Sequence, residues 1–340
     1  MSQLFDLAIV GAANAAGEII LELLEERAFP VGTLYTLDID NSVAKVVQFN
    51  NKSHKIKAIP DFDFSKVHIA IFVTDVATSS KYVPEAVAAG CVVIDNSSAF
   101  RNEDDIPLVV ADINAAQIAK FSNRKIIASL SSISGLIVIA LNSLHQVADI
   151  NRINITTYQS VSDLDKKGIS ELAGQTANLL NMQPVKIKVY PKQIAFNVLP
   201  QIGAVQANGY TQEEIDIVAD IRKVLGKASI GVNVTAVRVP VFYGDGAALH
   251  IETRDKLGAA EARDLLKKSA GITLIDGKKV AEYPTAVTEA SGSDDIFVGR
   301  IREDISFEHG LDLWVVADRI RKCEALNSVQ IAEILVKDYL

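Results

Sequence analysis

Apolar positions follow two regimes along the chain, and the change between them falls near residue 150. Before it, short apolar runs alternate with helical periodicity. Residues 6–10 (DLAIV) predict a strand ending at GAANAAGE, after which Ile19, Ile20, Leu23 and Leu24 share one helical face. Strands at 34–40 (LYTLDID), 67–73 (VHIAIFV) and 91–97 (CVVIDNS), with a helix near 79–89, continue the alternation. Residues 126–141 (IIASLSSISGLIVIAL) run a further strand through four serines into a helix with Leu136, Ile137, Ala140 and Leu141 at helical spacing. Alternation of this kind builds a parallel, doubly wound sheet with helices on both faces.

Beyond residue 150 the runs lengthen. Strands are predicted at 150–161, 232–244, 248–253, 296–303 and 311–318, interrupted by helices at 168–181, 212–225 and 258–269. Tyr243-Gly244-Asp245-Gly246 predicts a turn between two of those strands. The expectation is a second, α+β domain with a mixed or antiparallel sheet. A last helix at 320–338 presents Ile320, Ala325, Val329, Ile331 and Leu335 inward.

At 340 residues and 49% hydrophobic, the chain supports about two domains and a large core. A net charge of -8 and a pI near 5.3 argue against nucleic acid or an anionic membrane as partner, since the sequence shows no basic patch to offset them. Residues 126–148 carry no formal charge and are long enough to span a bilayer. The serines, Asn142, His145 and Gln146 dilute that stretch, so a buried strand and helix are expected instead. The start, MSQLFDLAIVGAA, lacks a positive region and carries Asp6, which points to a cytoplasmic protein. Cys91 and Cys323 make no disulfide framework, and the five histidines show no ligand spacing, so no metal site is expected. His250, five residues beyond Asp245 on a strand, is expected on the opposite face.

Two stretches carry candidate chemistry. Serines at a strand-to-helix turn are either a nucleophile or the cap of a buried helix, with Ser129 or Ser131 near the N-cap. The turn Gly11-Ala12-Ala13-Asn14-Ala15-Ala16-Gly17 sits where a dinucleotide fold holds its pyrophosphate. Asn14 in its middle has a side chain and a cost at positive φ.

The sequence resembles the aspartate-β-semialdehyde dehydrogenases over nearly its whole length, and within them a divergent bacterial paralogue lacking the catalytic cysteine and histidine. The resemblance rests on EERAFPVGTLY (25–35), VVIDNSSAFR (92–101), IPLVVADIN (106–114), TTYQSVS (156–162), IAFNVLPQIG (194–203), VRVPVFYG (237–244), FVGRIRED (297–304) and LWVVADRIRKCEALN (313–327), in that order. It implies an N-terminal Rossmann-like domain over 1–128, completed by a C-terminal helix at 318–340, and an α+β substrate and dimerisation domain over 129–317. The implied reaction is reversible, NADP-dependent reductive dephosphorylation of an aspartyl phosphate through a cysteine thioester.

Carried over residue by residue, the resemblance implies a loss. The family's Asn-Pro-Asn-Cys stretch falls on Ser129, Leu130, Ser131 and Ser132, and its catalytic histidine falls on Asp245. A serine hydroxyl needs a base at hand, unlike a cysteine whose pKa of about 8.5 is readily lowered. An ordinary aspartate near pKa 3.9 is too weak for that task. Arg101 for phosphate, Arg238 for the substrate carboxylate, Gln159 and Glu213 are kept, whereas a lysine expected three residues after Glu213 is Asp216.

The implied cofactor site, Gly11, Ala12, Asn14 and Gly17, is degenerate, and a small loop after the third strand is Val73-Thr74-Asp75-Val76. Ile39 and Asn41 stand where a serine and arginine select NADP, flanked by Asp38 and Asp40, which suit NAD better. Arg319 replaces an asparagine, and Cys323 is either a relocated nucleophile or an apolar filler. The reading is a homodimeric, non-catalytic family member with a small-anion pocket. The alternative is an active NAD(P)-dependent oxidoreductase with altered chemistry.

Overall fold

The computed structural model describes residues 3–39, 45–130 and 132–340. The chain divides into two compact units, Met1–Ser131 with Cys323–Leu340, and Ser132–Lys322.

The first unit contains, in chain order, β1 (Phe5–Val10), α1 (Ala15–Glu26), β2 (Val31–Asp38), β3 (Val46–Phe49), β4 (Lys52–Lys55), β5 (Lys57–Ala58), β6 (Ile69–Phe72), α2 (Val76–Ala88), β7 (Val92–Asp95), β8 (Leu108–Val109), α3 (Ala111–Asn114) and β9 (Ile126–Ser129). Seven strands form one sheet in the order β5-β2-β1-β6-β7-β9-β8, and every pairing in it is parallel. The runs IAIF, VVID and IIAS are buried at every residue, as strands covered on both faces must be. β2 begins three residues before the predicted strand because exposed Gly32 and Thr33 carry no apolar period. α2 also starts three residues early, since the Asp75 carboxylate caps it by accepting from Thr78 N at 2.8 Å.

The second unit contains α4 (Ile133–Ala148), β10 (Ile150–Gln159), α5 (Asp165–Leu180), α6 (Gln212–Val224), β11 (Gly231–Arg238), β12 (Asp245–Thr253), α7 (Ala259–Lys268), β13 (Ile272–Leu274), β14 (Ile296–Glu303) and β15 (Gly310–Ala317). Six strands form a mixed sheet in the order β11-β10-β12-β15-β14-β13. Ile155, Leu249 and Leu313 lie in register on its inner face, and α4, α6 and α7 pack on this sheet. α4 is buried around most of its circumference, with Leu136, Ile137, Ala140 and Leu141 fully enclosed, as an almost wholly apolar helix requires. Asn154, His250 and Asp312 lie in register on the opposite face, which places His250 away from Asp245.

The turn at Tyr243–Gly246 is not a hairpin. β10 lies between β11 and β12, so the chain must cross it rather than fold back on its neighbour. Gly244 has φ +83°, and a Cβ there would meet the Ala286 carbonyl at 2.1 Å, so only glycine fits. Asp245 and Gly246 are the first residues of β12 and not turn residues.

A π-helical segment, Arg319–Leu326, leads into α8 (Asn327–Asp338), which belongs to the first unit. Asn327 accepts from Ala111 N at 2.8 Å and donates to Val109 O at 3.0 Å and Ser129 Oγ at 2.9 Å. Ser328 exchanges hydrogen bonds with the Asn96 amide at 2.9 and 3.0 Å. These buried polar pairs fix α8 against the β7 and β9 ends, while Val329, Ile331 and Leu335 fill the core as predicted. No helix among the described residues is long and apolar enough to cross a membrane.

Candidate functional site

One edge of the mixed sheet gathers residues that lie far apart in sequence. The C-terminal ends of the parallel strands β10 and β11 bring Gln159 and Arg238 into register. The antiparallel strand β12 starts at the same edge with Asp245, opposite Ala317 at the end of β15, and Arg319 follows two residues later. Gln159, Arg238, Asp245 and Arg319 are all buried.

Buried charges must be paired, and here they are paired with one another. Arg238 donates through Nη1 to Ser160 O at 2.6 Å and through Nη2 to Asp163 Oδ2 at 2.7 Å. Arg319 donates through Nη2 to Asp163 Oδ1 at 2.9 Å and through Nε to Asp245 Oδ2 at 3.0 Å. The other Asp245 oxygen accepts from Ser160 N at 2.6 Å. Asp163 thus bridges two guanidinium groups. Burial opposes its charge, but Arg319 and Arg238 outweigh that cost and hold its carboxyl below the ordinary value. Gln159 donates to Glu213 Oε1 at 3.0 Å. Burial pushes the Glu213 carboxyl up, and the nearby Asp163 charge pushes it further the same way.

Ser132 is the N-cap of α4, accepting from Ser134 N at 3.3 Å. The sequence placed the cap at Ser129 or Ser131. Ser129 instead ends β9 as a fully buried residue, because strand pairing with β8 continues up to it, opposite Val109. Ser131 lies outside the described residues. Ser132 and Ser134 both donate to Asp220 Oδ2, at 3.0 and 2.9 Å. The carboxylate facing Ser132 is therefore Asp220, from α6. Asp216, at the expected lysine position, accepts from Gln212 Nε2 at 2.7 Å.

In the first unit, Gly11 has φ +89° and leaves no room for a Cβ, which would meet Val73 O at 2.4 Å. Asn14 does not carry the strain expected of it. Its φ is -88°, because it is the N-cap of α1 and not a turn residue. Its amide accepts from Gly17 N at 2.8 Å and donates to Val73 O at 2.6 Å. A pyrophosphate at this helix end would meet an amide already bonded, and Asp75, two residues beyond Val73, is exposed. Asp38 ends β2, while Asp40 and Asn41 lie outside the described residues. Arg101 is buried, and its Nη2 donates to Asn96 O at 2.9 Å. Cys323 is 1% exposed. No group of three or more metal-ligating side chains occurs among the described residues.

Asp163 and Asp220 are the residues the sequence reading missed. Asp220 had a signal, since it falls on the inward stripe of α6 with Ile217, Ile221 and Val224. Asp163 had none, because Ser-Asp-Leu-Asp reads as a solvated turn.

A two-unit molecule with a parallel nucleotide-type sheet and a mixed second sheet defines a class of dehydrogenases, and comparison with known proteins agrees. Residues 6–121 match the family model of the semialdehyde dehydrogenase NAD binding domain, and residues 141–322 match the semialdehyde dehydrogenase dimerisation domain. The aspartate-semialdehyde dehydrogenase of Legionella pneumophila is 50% identical over 340 residues, covering 100% of this chain and 98% of that protein. Aspartate-semialdehyde dehydrogenase 2 of Vibrio cholerae is 49% identical, with both chains covered in full. The crystal structure of aspartate semialdehyde dehydrogenase II from Vibrio cholerae, complexed with ASA, superposes with a TM-score of 0.96 at 48% identity, over 100% of each chain. The chain belongs to the aspartate-semialdehyde dehydrogenase family.

Proposed function

We propose that this family member keeps the scaffold and part of the anion-binding apparatus but does not carry out the family's phosphorylating dehydrogenation. The observation that carries the reading is the Arg319 to Asp245 pair, at 3.0 Å. With one carboxylate oxygen of Asp245 engaged by the Arg319 guanidinium and the other by the Ser160 amide, it does not serve as the proton acceptor a nucleophile needs. Ser132 is likewise committed, as a helix cap bonded to a carboxylate. An ester formed on it would also accept hydride less readily than a thioester.

Dinucleotide binding is weak on this reading, and NAD is less disfavoured than NADP because Asp38 ends the second strand. The chain works as a homodimer through its second unit. Its outer sheet face holds a groove of about 600 Å³ lined by Asn154, His250, Tyr283, Asp312 and Trp314, the kind of surface a second copy would cover. The test is absorbance at the reduced nicotinamide band with aspartate semialdehyde, phosphate and either NAD or NADP. No turnover is expected. Turnover near the median enzyme rate of about 10 per second would establish the alternative, an active oxidoreductase with altered chemistry.

A further inference from the structure

We infer that His250 makes dimer formation pH-sensitive: its protonated ring neutralises an acidic cluster on the outer face of the mixed sheet, so two copies associate more tightly at pH 6 than at pH 8. This deepens the reading above and rests on its premise that a second copy covers that face.

The segment matching the dimerisation domain, residues 141–322, contains the whole mixed sheet. His250 lines the groove on its outer face, with a side chain 24% exposed. Three carboxylates surround the ring. On β15, Asp312 Oδ1 lies 3.1 Å from Nδ1. In the connection from β14 to β15, Asp304 Oδ2 lies 3.7 Å from Nε2, and on β12 itself Glu252 Oε1 lies 3.9 Å from Nε2. From β10 come the uncharged Asn154, directly opposite His250, and Arg152.

Two of these carboxylates have an arginine. Arg302 reaches Asp312 at 3.6 Å, and Arg152 reaches Glu252 at 3.8 Å. Asp304 pairs instead with His250. Arg300 also lines the groove but makes no ion pair among the described residues, and beyond ion-pair reach water and salt screen its charge from Asp304. Asp304 does not discharge itself by taking a proton. It accepts from Ser306 N and Ser306 Oγ, both at 2.7 Å, and these bonds hold its carboxyl below the ordinary value.

With the ring neutral, three carboxylates therefore stand against two guanidinium groups, and protonation of His250 closes the difference. Covering the cluster with a charge left over is costly, and a two-fold interface brings one cluster from each copy. Histidine is the side chain that changes charge between about pH 5 and 8. Association thus takes up protons, and linkage makes it tighter as pH falls and weaker as pH rises.

The test is sedimentation velocity of the full chain at pH 6, 7 and 8 and constant ionic strength, from nanomolar to micromolar concentration. The parent is expected to dimerise about tenfold more tightly at pH 6 than at pH 8, the scale of one charged hydrogen-bonded contact. His250→Gln should abolish the pH dependence and stay at the weaker value. Asp304→Asn keeps an oxygen for Ser306 but removes the surplus charge, so it should dimerise at pH 8 as tightly as the parent does at pH 6. Equal constants at pH 6 and 8 in the parent would overturn the inference, as would a dependence surviving His250→Gln. If His250→Gln does not fold, a parent-like pH dependence in Asp304→Asn overturns it instead. If the dimer is too tight to dissociate in this range, the rate of subunit exchange between isotopically labelled and unlabelled copies takes the place of the constant, with slower exchange expected at pH 6 and equal rates refuting the inference. A monomer at every pH would remove the dimer reading and this inference together, whereas a dimer indifferent to pH would remove the inference alone.

Discussion

Asp163 Oδ2 lies 2.7 Å from Arg238 Nη2, so the arginine expected to meet a substrate carboxylate already holds a carboxylate of its own chain. Asn14 stands in the same relation to the first unit, where its side chain takes the Gly17 amide at the helix N-terminus. In each place a group that favours an external anion is satisfied from within, and local polar accounting favours this whenever no ligand is present.

The Arg319 to Asp245 pair should prove strongly coupled. Asp245→His, which restores the family's residue type, leaves Arg319 buried with one fewer partner and should cost about 3 to 5 kcal/mol. Combining it with Arg319→Asn should recover a large part of that loss, giving a coupling energy of about 0.5 to 3 kcal/mol in a double-mutant cycle. Denaturant midpoints of the four proteins measure it. Strict additivity would mean the pair is not the unit described here.

Much of this was legible in sequence, and the limits are physical. Continuous apolar runs reported the parallel sheet, because strands covered on both faces leave no polar alternation. Helix periodicity located α5, α6 and α7 to within three residues at each end. The order of strands was not legible. β11 and β12 are joined by a glycine-bearing connection that looks like a hairpin turn, and nothing local reveals that β10 lies between them. The ion cluster was half legible. Arg238 and Asp245 stood out at family positions, but Asp163 is 156 residues from Arg319, a separation over which spacing carries no information.

The pH dependence of stability should have opposite signs at two neighbouring carboxyls. Burial raises Glu213, so its stabilising contribution is complete below the unfolded value of about 4.3 and is lost as pH rises through the higher folded value. Glu213→Gln removes that loss, and its stability relative to the parent should improve between about pH 4 and neutrality. Asp163 is held low despite its burial, by Arg319 and Arg238, so its contribution is present above about 3.9 and fades as pH falls through the folded value. The cost of Asp163→Asn should therefore shrink in acid. Chemical denaturation across this range reads both slopes, and parallel slopes would contradict the assignment.

Both cysteines should resist thiol reagents in the native protein. Burial pushes the Cys91 thiol up to about 11, while the Lys125 charge acts the other way, and its Sγ donates to Phe64 O at 3.0 Å and Val67 O at 3.2 Å. Cys323 is 1% exposed. Ellman's reagent at pH 8 should find no fast-reacting thiol until denaturant is added. A rapid single equivalent mapped to Cys323 would revive it as a relocated nucleophile.

Asn14→Gly should tighten dinucleotide binding, because it frees the Gly17 amide for a phosphate oxygen. The fold should tolerate the change, since glycine replaces asparagine at an N-cap for only a few tenths of a kcal/mol. Adding Asp75→Gly removes an exposed negative charge two residues beyond Val73, whose carbonyl Asn14 binds, and should tighten binding further. Calorimetry with NAD and NADP decides it. A low-micromolar NADP constant for the unmodified chain would show that the occupied amide does not matter.

Restoring the reaction should require more than restoring the nucleophile. Ser132→Cys places a thiol at the N-terminus of α4, where the helix dipole favours a thiolate. That thiol would also face Asp220, whose carboxylate lies 3.0 Å from the present hydroxyl and would raise the thiol pKa. No base replaces the family histidine, because Asp245 remains locked to Arg319. The single variant should therefore show no phosphate-dependent oxidation of aspartate semialdehyde. Asp245→His alone supplies a base but takes one carboxylate partner from buried Arg319, so Arg319→Asn has to accompany it, and Asp216→Lys should help by replacing a negative charge with a positive one. The order of effects is the test. Activity in Ser132→Cys alone would mean that the Arg319 pair is no obstacle, whereas activity appearing only once Asp245→His and Arg319→Asn are both added would identify that pair as the block to catalysis.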